Sequence, residues 1–160
     1  MYMTDRYCFD TSSYIELKNK YPRDVFESLW KIFENYINNN KMKSPQLVFD
    51  ELLEGDSQED IVKFIKNNKG LLLQEFCEKI DSTNQYLTKK YPEFVAKDTG
   101  LVKNDADLFV VSTAKVHNLI VITEEKRKEN SRKKIPNICD LEKIECMNLL
   151  DMIKREKIKI

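Results

Sequence analysis

The chain has 160 residues, of which 41% are hydrophobic and 34% charged, enough for one domain with a real core. With 27 basic and 27 acidic residues, net charge cannot drive binding to nucleic acid, so such binding would need a local basic patch or metal ions. Only 3 Gly and 4 Pro argue against a loop-rich or disordered chain. The 4 cysteines (Cys8, Cys77, Cys139 and Cys146) form no CxxC pair, so a zinc site is not expected. The single histidine, His117, sits in a turn beside Asn118 and reads as solvated surface, which leaves carboxylates as the candidate catalysts. The start MYMTDRYCFD has neither a basic region nor an apolar core like those of a signal peptide. No apolar run approaches the roughly 20 residues that span a bilayer. A cytoplasmic protein with reduced cysteines is expected, without membrane contact.

In chain order, Arg6–Phe9 is a short β-prone run ending on Asp10. Asp10 is followed by Thr11, Ser12 and Ser13, good N-cap chemistry for a helix through Tyr21. A second helix is expected from Asp24, with Val25, Phe26, Leu29, Trp30, Phe33 and Ile37 at helical spacing. Ser44-Pro45 leads into QLVFDELLEG, a brief extended piece turning into a helix that carries Asp50 and Glu51. Ser57 with Asp60 resembles a capping arrangement before IVKFIKNN, which Lys69-Gly70 is expected to close. Leu71–Leu73 reads as a short strand or the start of another helix. An amphipathic helix from about Glu75 to Lys90 ends at Tyr91-Pro92.

The stretch DADLFVVSTAKVHNLIVITEE, Asp105 to Glu125, is apolar on nearly every side of its helical half. After His117-Asn118 it becomes the bare run LIVI, as expected of a strand covered on both faces in a parallel sheet. The next nine positions, KRKENSRKK, hold six basic residues: Lys126, Arg127, Lys128, Arg132, Lys133 and Lys134. They read either as a solvated, mobile loop or as a phosphate-contacting one. Ile135 to Cys139 re-enters the fold, Ile144–Met147 is a last strand and Leu149–Lys154 a closing helix. Strands alternating with helices indicate a three-layer α/β/α domain spanning residues 1–160.

Asp10, Glu51, Asp107 and Glu125 each fall where a strand ends or a helix begins. Singly, such acids are ordinary caps. Together, Asp10 and Glu125 after strands and Asp107 before a buried helix would converge on the rim outside the carboxyl ends of the strands, where α/β sheets bind ligands. Carboxylates in proximity repel unless a cation neutralises them.

At this point the chain resembles the PIN-domain nucleases, including the toxin ribonucleases of VapC type, and within them a bacterial PIN-like subfamily. The resemblance covers essentially the whole chain. It rests on F-D-T-S-S at 9–13, V-F-D-E-L at 48–52, D-L-F-V-V-S-T-A at 107–114, V-I-T-E-E at 121–125 and I-P-N-I-C at 135–139. It implies a parallel sheet of about five strands, Mg²⁺ or Mn²⁺ held by the acids, and an endoribonuclease acting on RNA. It also implies a possible homodimer and a cognate antitoxin protein. Carried over, Asp10 matches the first acid, Glu51 the helix glutamate, Asp107 the third acid and Glu125 the fourth, where the wider family more often has Asp. Asp10 and Asp107 are then the expected principal ligands. Glu51 and Glu125 would ligate through water or orient the nucleophile, with Thr11, Ser12 and Thr123 in support. Asp105 competes with Asp107, Glu124 with Glu125, and Asp50 with Glu51.

Two other readings stand beside this one. F-D-T also opens the aspartyl-phosphate phosphatases of haloacid-dehalogenase type, but these need a second Asp two positions on, where this chain has Ser12. A catalytically inactive PIN-like module that binds RNA or protein would keep the fold without the chemistry.

Overall fold

The computed structural model describes residues 4–55, 59–95 and 106–160. Four short parallel strands form its sheet: β1 (Tyr7–Phe9), β2 (Met42–Lys43), β3 (Ile120–Ile122) and β4 (Cys146–Met147), in the order β2-β1-β3-β4. All residues of β1 and β3 are buried, as expected of central strands covered on both faces. Tyr7, Cys8 and Phe9 pair with Ile120, Val121 and Ile122, so Asp10 and Thr123 leave the sheet side by side. Helices flank the sheet in the expected α/β/α manner.

Among the described residues the sheet has four strands rather than about five, and Leu71–Leu73, which could have been a strand or part of a helix, is mostly helix. Helix α4 (Glu59–Leu72) runs through Gly70 instead of stopping there. A mid-helix glycine costs only about 1 kcal/mol, and continuing the helix places Leu72 fully in the core. Only Leu73 reaches the sheet, as a single parallel bridge to Ser44. Ser44 N–H donates to Leu72 O and Gln74 N–H to Ser44 O, each at 2.9 Å, so the bridge does what a fifth strand would have done at that edge.

Helix α1 (Thr11–Lys20) starts as expected on its Asp10 cap. Helix α2 (Glu27–Asn38) begins three residues after Asp24, and Val25 stays 67% exposed, outside the apolar stripe. The extended piece near Ser44-Pro45 precedes the proline, as β2, and α3 (Gln46–Glu54) follows directly. Pro45 lacks the N–H that a further ladder bond would need. Helix α5 (Glu78–Lys90) starts later than Glu75, and the short α6 (Pro92–Val95) follows it. Helices α7 (Ala106–His117), α8 (Ile135–Leu141) and α9 (Leu149–Arg155) complete the elements. Ser57 of the expected capping arrangement lies outside the described residues.

A glycine-poor chain must end its helices on other residues. Asn40, Asn118, Lys143 and Lys157 take the left-handed conformation (φ 58, 54, 57 and 54°) just past α2, α7, α8 and α9. The next N–H in each case bonds five residues back, for example Leu119 N to Ala114 O at 2.9 Å. The Asn118 turn reverses the chain from α7 into β3, which brings the start of α7 to the rim where β1 and β3 end.

The buried side chains form one continuous cluster in which Phe9, Tyr14, Phe33 and Phe49 pack ring to ring, with Trp30 edge-on to Phe64 at 5.2 Å. Two carboxylates are woven into it. Glu156 accepts from the Tyr7 and Tyr36 hydroxyls and from Lys41 Nζ, pinning the C-terminal turn to the start of β1. Glu142, 7% exposed, accepts from the Tyr91 hydroxyl and pairs with Lys90 Nζ (3.0 Å) and Lys115 Nζ (3.1 Å), joining α8 to α5 and α7. Burial alone would raise its carboxyl, but these partners outweigh burial and hold it at about 2. His117 differs from its sequence reading. It is half-buried, and burial together with the charges of Arg6, Lys43 and Lys79 pushes its imidazole below the ordinary value.

Candidate active site

The rim at the carboxyl ends of β1 and β3 is built around Asp10, which is 3% exposed. Its Oδ1 accepts from Ser13 N (3.0 Å) and Ser12 Oγ (2.7 Å), and its Oδ2 from Thr123 Oγ1 (2.6 Å). Ser13 Oγ lies 2.9 Å from Oδ1 and 2.6 Å from Ile122 O, and its single proton serves one of them at a time. Burial pushes the Asp10 carboxyl above the ordinary aspartate value, opposed by the bonds from Thr123, Ser12 and Ser13. A carboxylate offers about four lone-pair positions, and Oδ2 uses one of its two on Thr123.

The same hydroxyls stitch the β3 loop to the β1 loop. Ser12 Oγ accepts from Glu124 N (2.9 Å) while donating to Asp10, and Thr123 Oγ1 accepts from Glu125 N (3.1 Å) while donating to Asp10. Neither hydroxyl has freedom left to rotate, so the carboxylate is held in one orientation. Glu51 joins from α3: its Oε2 accepts from Thr11 Oγ1 at 2.6 Å, which sets this exposed carboxylate beside the residue that follows Asp10. Asp10, Thr11, Ser12, Thr123 and Glu51 therefore stand together. Asp50 is engaged elsewhere, accepting from Gln46 Nε2 at 2.8 Å.

The fourth-acid position divides between two glutamates, each attached to a helix start. Glu125 Oε2 accepts from Ile135 N at 2.8 Å, at the beginning of α8. Glu124 Oε1 accepts from Leu149 N at 2.8 Å, at the beginning of α9. At Glu124 burial raises the carboxyl, Leu149 N lowers it, and the charges of Glu16, Asp10 and Asp151 raise it further. Asp107 lies half-buried in the first turn of α7, and Asp105 lies outside the described residues.

Sequence reasoning missed Ser13 as a site residue, and the signal was present as the third hydroxyl after Asp10. It also missed Glu16 and Asp151, whose electrostatic role depends on α1 and α9 packing together.

The basic stretch lacks helix or strand but is tethered. Arg127 grips Asp140 bidentately (2.7 and 2.9 Å), and Asn137 clamps the Lys128 backbone through its N–H (3.0 Å) and its carbonyl (2.8 Å). Arg132 lies over the Tyr91 ring at 5.7 Å. Lys133 and Lys134 stand at the stretch's far end, where Lys134 precedes α8. Lys126 and Arg127 share a cleft of about 230 Å³ with Thr123, Glu125, Asn148 and Asp151, so positive charge adjoins the Asp10 network.

The donors around Asp10 are carboxylate and hydroxyl oxygens, the chemistry that Mg²⁺ and Mn²⁺ prefer. Among the described residues no three of His, Cys, Asp or Glu stand close enough to enclose an ion. Mg²⁺ needs only one or two carboxylates and keeps several waters, so the donor set fits such an ion held partly through water.

A parallel sheet with acids on one rim and a Thr123–Asp10 bond joining its central strands defines an α/β domain with a carboxylate site at the carboxyl edge of the sheet. Solved structures agree on the fold. The chain is similar to the VapBC2 complex of Rickettsia felis bound to a promoter DNA fragment, with TM-score 0.56, 18% identity and coverage of 89% of this chain and 97% of that one. It is also similar to DNA-bound VapBC from Salmonella typhimurium, with TM-score 0.53, 16% identity and coverage of 91% and 98%. It has a VapC-like PIN fold. By its sequence the chain belongs to the family described as a domain of unknown function, DUF4411, whose model matches residues 7–160. A search of curated proteins returned no match. Among the described residues no helix is long and apolar enough to cross a membrane.

Proposed function

We propose that this protein is a metal-dependent endoribonuclease that hydrolyses RNA phosphodiester bonds, acting as the toxin of a toxin–antitoxin pair. The observation that supports it best is the Asp10 carboxylate, buried yet fixed by Ser12, Ser13 and Thr123 at the rim of the sheet with Glu51 beside it. The VapC-like fold supports the same reading.

In this reading Asp10 and Asp107 are the principal ligands of Mg²⁺ or Mn²⁺, and Glu51 acts through water. A divalent ion there would supply Lewis-acid stabilisation of charge on the phosphate. The chain's own residues do the rest. Ser12 and Thr123 hold Asp10 in one orientation, which is worth most where charge develops during reaction. Glu51, kept at the rim by Thr11, is placed to accept a proton from an attacking water. Lys126, in the cleft beside Thr123, attracts the phosphate backbone, while Arg127 is held by Asp140. Glu125 is the fourth acid in this reading and also fixes the start of α8 through Ile135 N, with Glu124, which holds the start of α9, as its alternative.

RNA incubated with the purified chain should be cut in Mg²⁺ or Mn²⁺ and left intact in EDTA; cutting that persists in EDTA overturns the assignment. A catalytically inactive PIN-like module is the second reading, favoured by one observation: Glu124 and Glu125 both accept from helix N–H groups. Calorimetric titration separates the two, because absence of Mg²⁺ or Mn²⁺ binding at millimolar concentration supports the inactive module.

A further inference from the structure

Cys8, Val121 and Cys146 are in register across β1, β3 and β4, so their side chains leave the same face of the sheet. Helix α7 covers that face, since Cys8 Sγ donates to Val110 O at 3.8 Å, and α8 packs beside α7 and over β4. Cys146 therefore points at α8. Cys139 meets it there. The chain turns back after α8, with Ile144 N–H on Cys139 O at 2.8 Å, and the Cys139 thiol is hydrogen-bonded to that of Cys146. Both are free thiols, and the proposed reaction uses neither. Their surroundings differ. Cys139 is fully buried, whereas Cys146 is half-buried and lines the cleft that Lys126 and Thr123 share. The Arg127 guanidinium, held first by Asp140, also feels both sulfurs. A partly exposed thiol beside cationic side chains is where oxidants react, while a buried one is inert until its neighbour has reacted. Cys139 fits the second case, because its bond with Cys146 and its burial push the thiol far up.

We infer that Cys146 and Cys139 are a modification site, a thiol pair that a hydroperoxide closes into a disulfide in the wall of the cleft, and that the closed form slows the reaction at the rim. The Cys146 sulfur attacks hydrogen peroxide and breaks its O–O bond. It becomes a sulfenic acid, and its proton leaves with the second oxygen as water. Cys139 then attacks the sulfenic sulfur: the S–S bond forms, the S–O bond breaks, and the Cys139 proton leaves with the hydroxyl as a second water. The two thiols give two electrons and the peroxide takes them. A dithiol reductant reopens the bond by exchange. Bonded sulfurs sit closer than hydrogen-bonded ones, so closure draws α8 towards β4. Both elements hold the rim. Ile135 N, at the start of α8, donates to Glu125 Oε2 (2.8 Å), and Met147 O, in β4, accepts from Thr123 N (3.0 Å). Formation of the bond stands without the nuclease reading, and its consequence for the rim rests on that reading.

The test treats the full chain with hydrogen peroxide, alkylates the thiols that remain after unfolding, and reads masses. Wild type should lose two hydrogens, yield a linked Cys139–Cys146 peptide with Cys8 and Cys77 alkylated, and regain all its thiols in dithiothreitol. Cys146→Ser should give no linked peptide, and Cys139→Ala should trap a sulfenic acid at Cys146 that a 1,3-dione labels. Should Cys139→Ala fail to fold, the linked peptide in wild type and its loss in Cys146→Ser decide alone. Oxidised wild type should cut RNA at least about 10-fold more slowly than reduced wild type, and peroxide should leave the rate of Cys146→Ser where it was. Absence of the linked peptide, with both cysteines alkylated or carried on to sulfinic acid, overturns the pair. A linked peptide with equal RNA cleavage by the two forms overturns its control of the rim. A linked peptide in a chain that cuts no RNA in either form, in Mg²⁺ or Mn²⁺, supports the pair and removes the nuclease reading.

Discussion

Replacing Thr123 with Val keeps the shape of the side chain and removes one hydroxyl. That hydroxyl is 2.6 Å from Asp10 Oδ2, where it is the sole donor among the described residues, and it also accepts from Glu125 N. Hydrogen bonds to charged groups contribute roughly 1.5–3 kcal/mol, and a buried acceptor left without its donor adds its desolvation cost. With Asp10 only 3% exposed, little water can replace the lost donor. The expected loss is about 2–3 kcal/mol, or roughly 5–10 °C in Tm for a domain of this size. Ser12→Ala should cost less, about 1 kcal/mol, because Oδ1 keeps Ser13 N and Ser13 Oγ as donors. The assay is urea unfolding of wild type, Thr123→Val, Ser12→Ala, Asp10→Asn and the Thr123→Val/Asp10→Asn double variant, all in EDTA. In Asp10→Asn the amide oxygen stays on Ser13 N and the NH2 takes the place of Oδ2, so Thr123 has no acceptor there and Thr123→Val should lose at least about 1 kcal/mol of its effect in the Asp10→Asn background. A Thr123→Val cost smaller than that of Ser12→Ala, or equal in both backgrounds, would refute the claim that Thr123 holds the Asp10 carboxylate.

Other expectations follow from the same geometry. Glu142 is held at about 2 against an ordinary 4.5, so it stabilises the fold fully above pH 4.5 and loses that contribution as pH falls towards 2. The loss amounts to about 3 kcal/mol, and acid unfolding of Glu142→Gln should be shallower than wild type across that window; parallel curves would disprove the role. In the basic stretch, Arg127 is neutralised by Asp140, whereas Lys126 lines the cleft beside Thr123. Lys126→Ala should therefore flatten the salt dependence of RNA binding by nearly one charge, and Arg127→Ala should do so by less; the reverse order would count against the cleft as the backbone path. Glu51→Gln, at an exposed site, should leave stability within about 0.5 kcal/mol while slowing RNA cleavage by 10-fold or more. Unchanged cleavage would remove Glu51 from the site.

The parts of this fold that could be read from sequence were those dictated by local chemistry. Phe9-Asp10 with three following hydroxyls spells strand, cap and helix, and LIVI after Asn118 reads as a doubly covered strand, as Ile120–Ile122 is. What could not be read depended on tertiary competition. Gly70 looks like a stop, yet the helix continues because Leu72 gains a core position. A strand at Leu71–Leu73 then shrinks to one bridge at Leu73 because the chain arrives at the sheet as a helix end. The same limit applied at the site. Asp10, Ser12, Thr123 and Glu51 were legible because each sits at an element boundary. The different tasks of Glu124 and Glu125 were not, since both depend on the places of α8 and α9. Ser13 was read as a cap residue only, although its hydroxyl reaches Asp10 as well as its backbone does.

The central claim is that Asp10 is the carboxylate on which RNA cleavage depends. It is tested most directly by single-turnover cleavage of RNA by wild type and Asp10→Asn in Mg²⁺ or Mn²⁺, with circular dichroism showing both folded. Asn at this position still caps Ser13 N through its side-chain oxygen, so the fold should survive. The account predicts cleavage by wild type and none by Asp10→Asn. Cleavage at equal rates by both chains would contradict it.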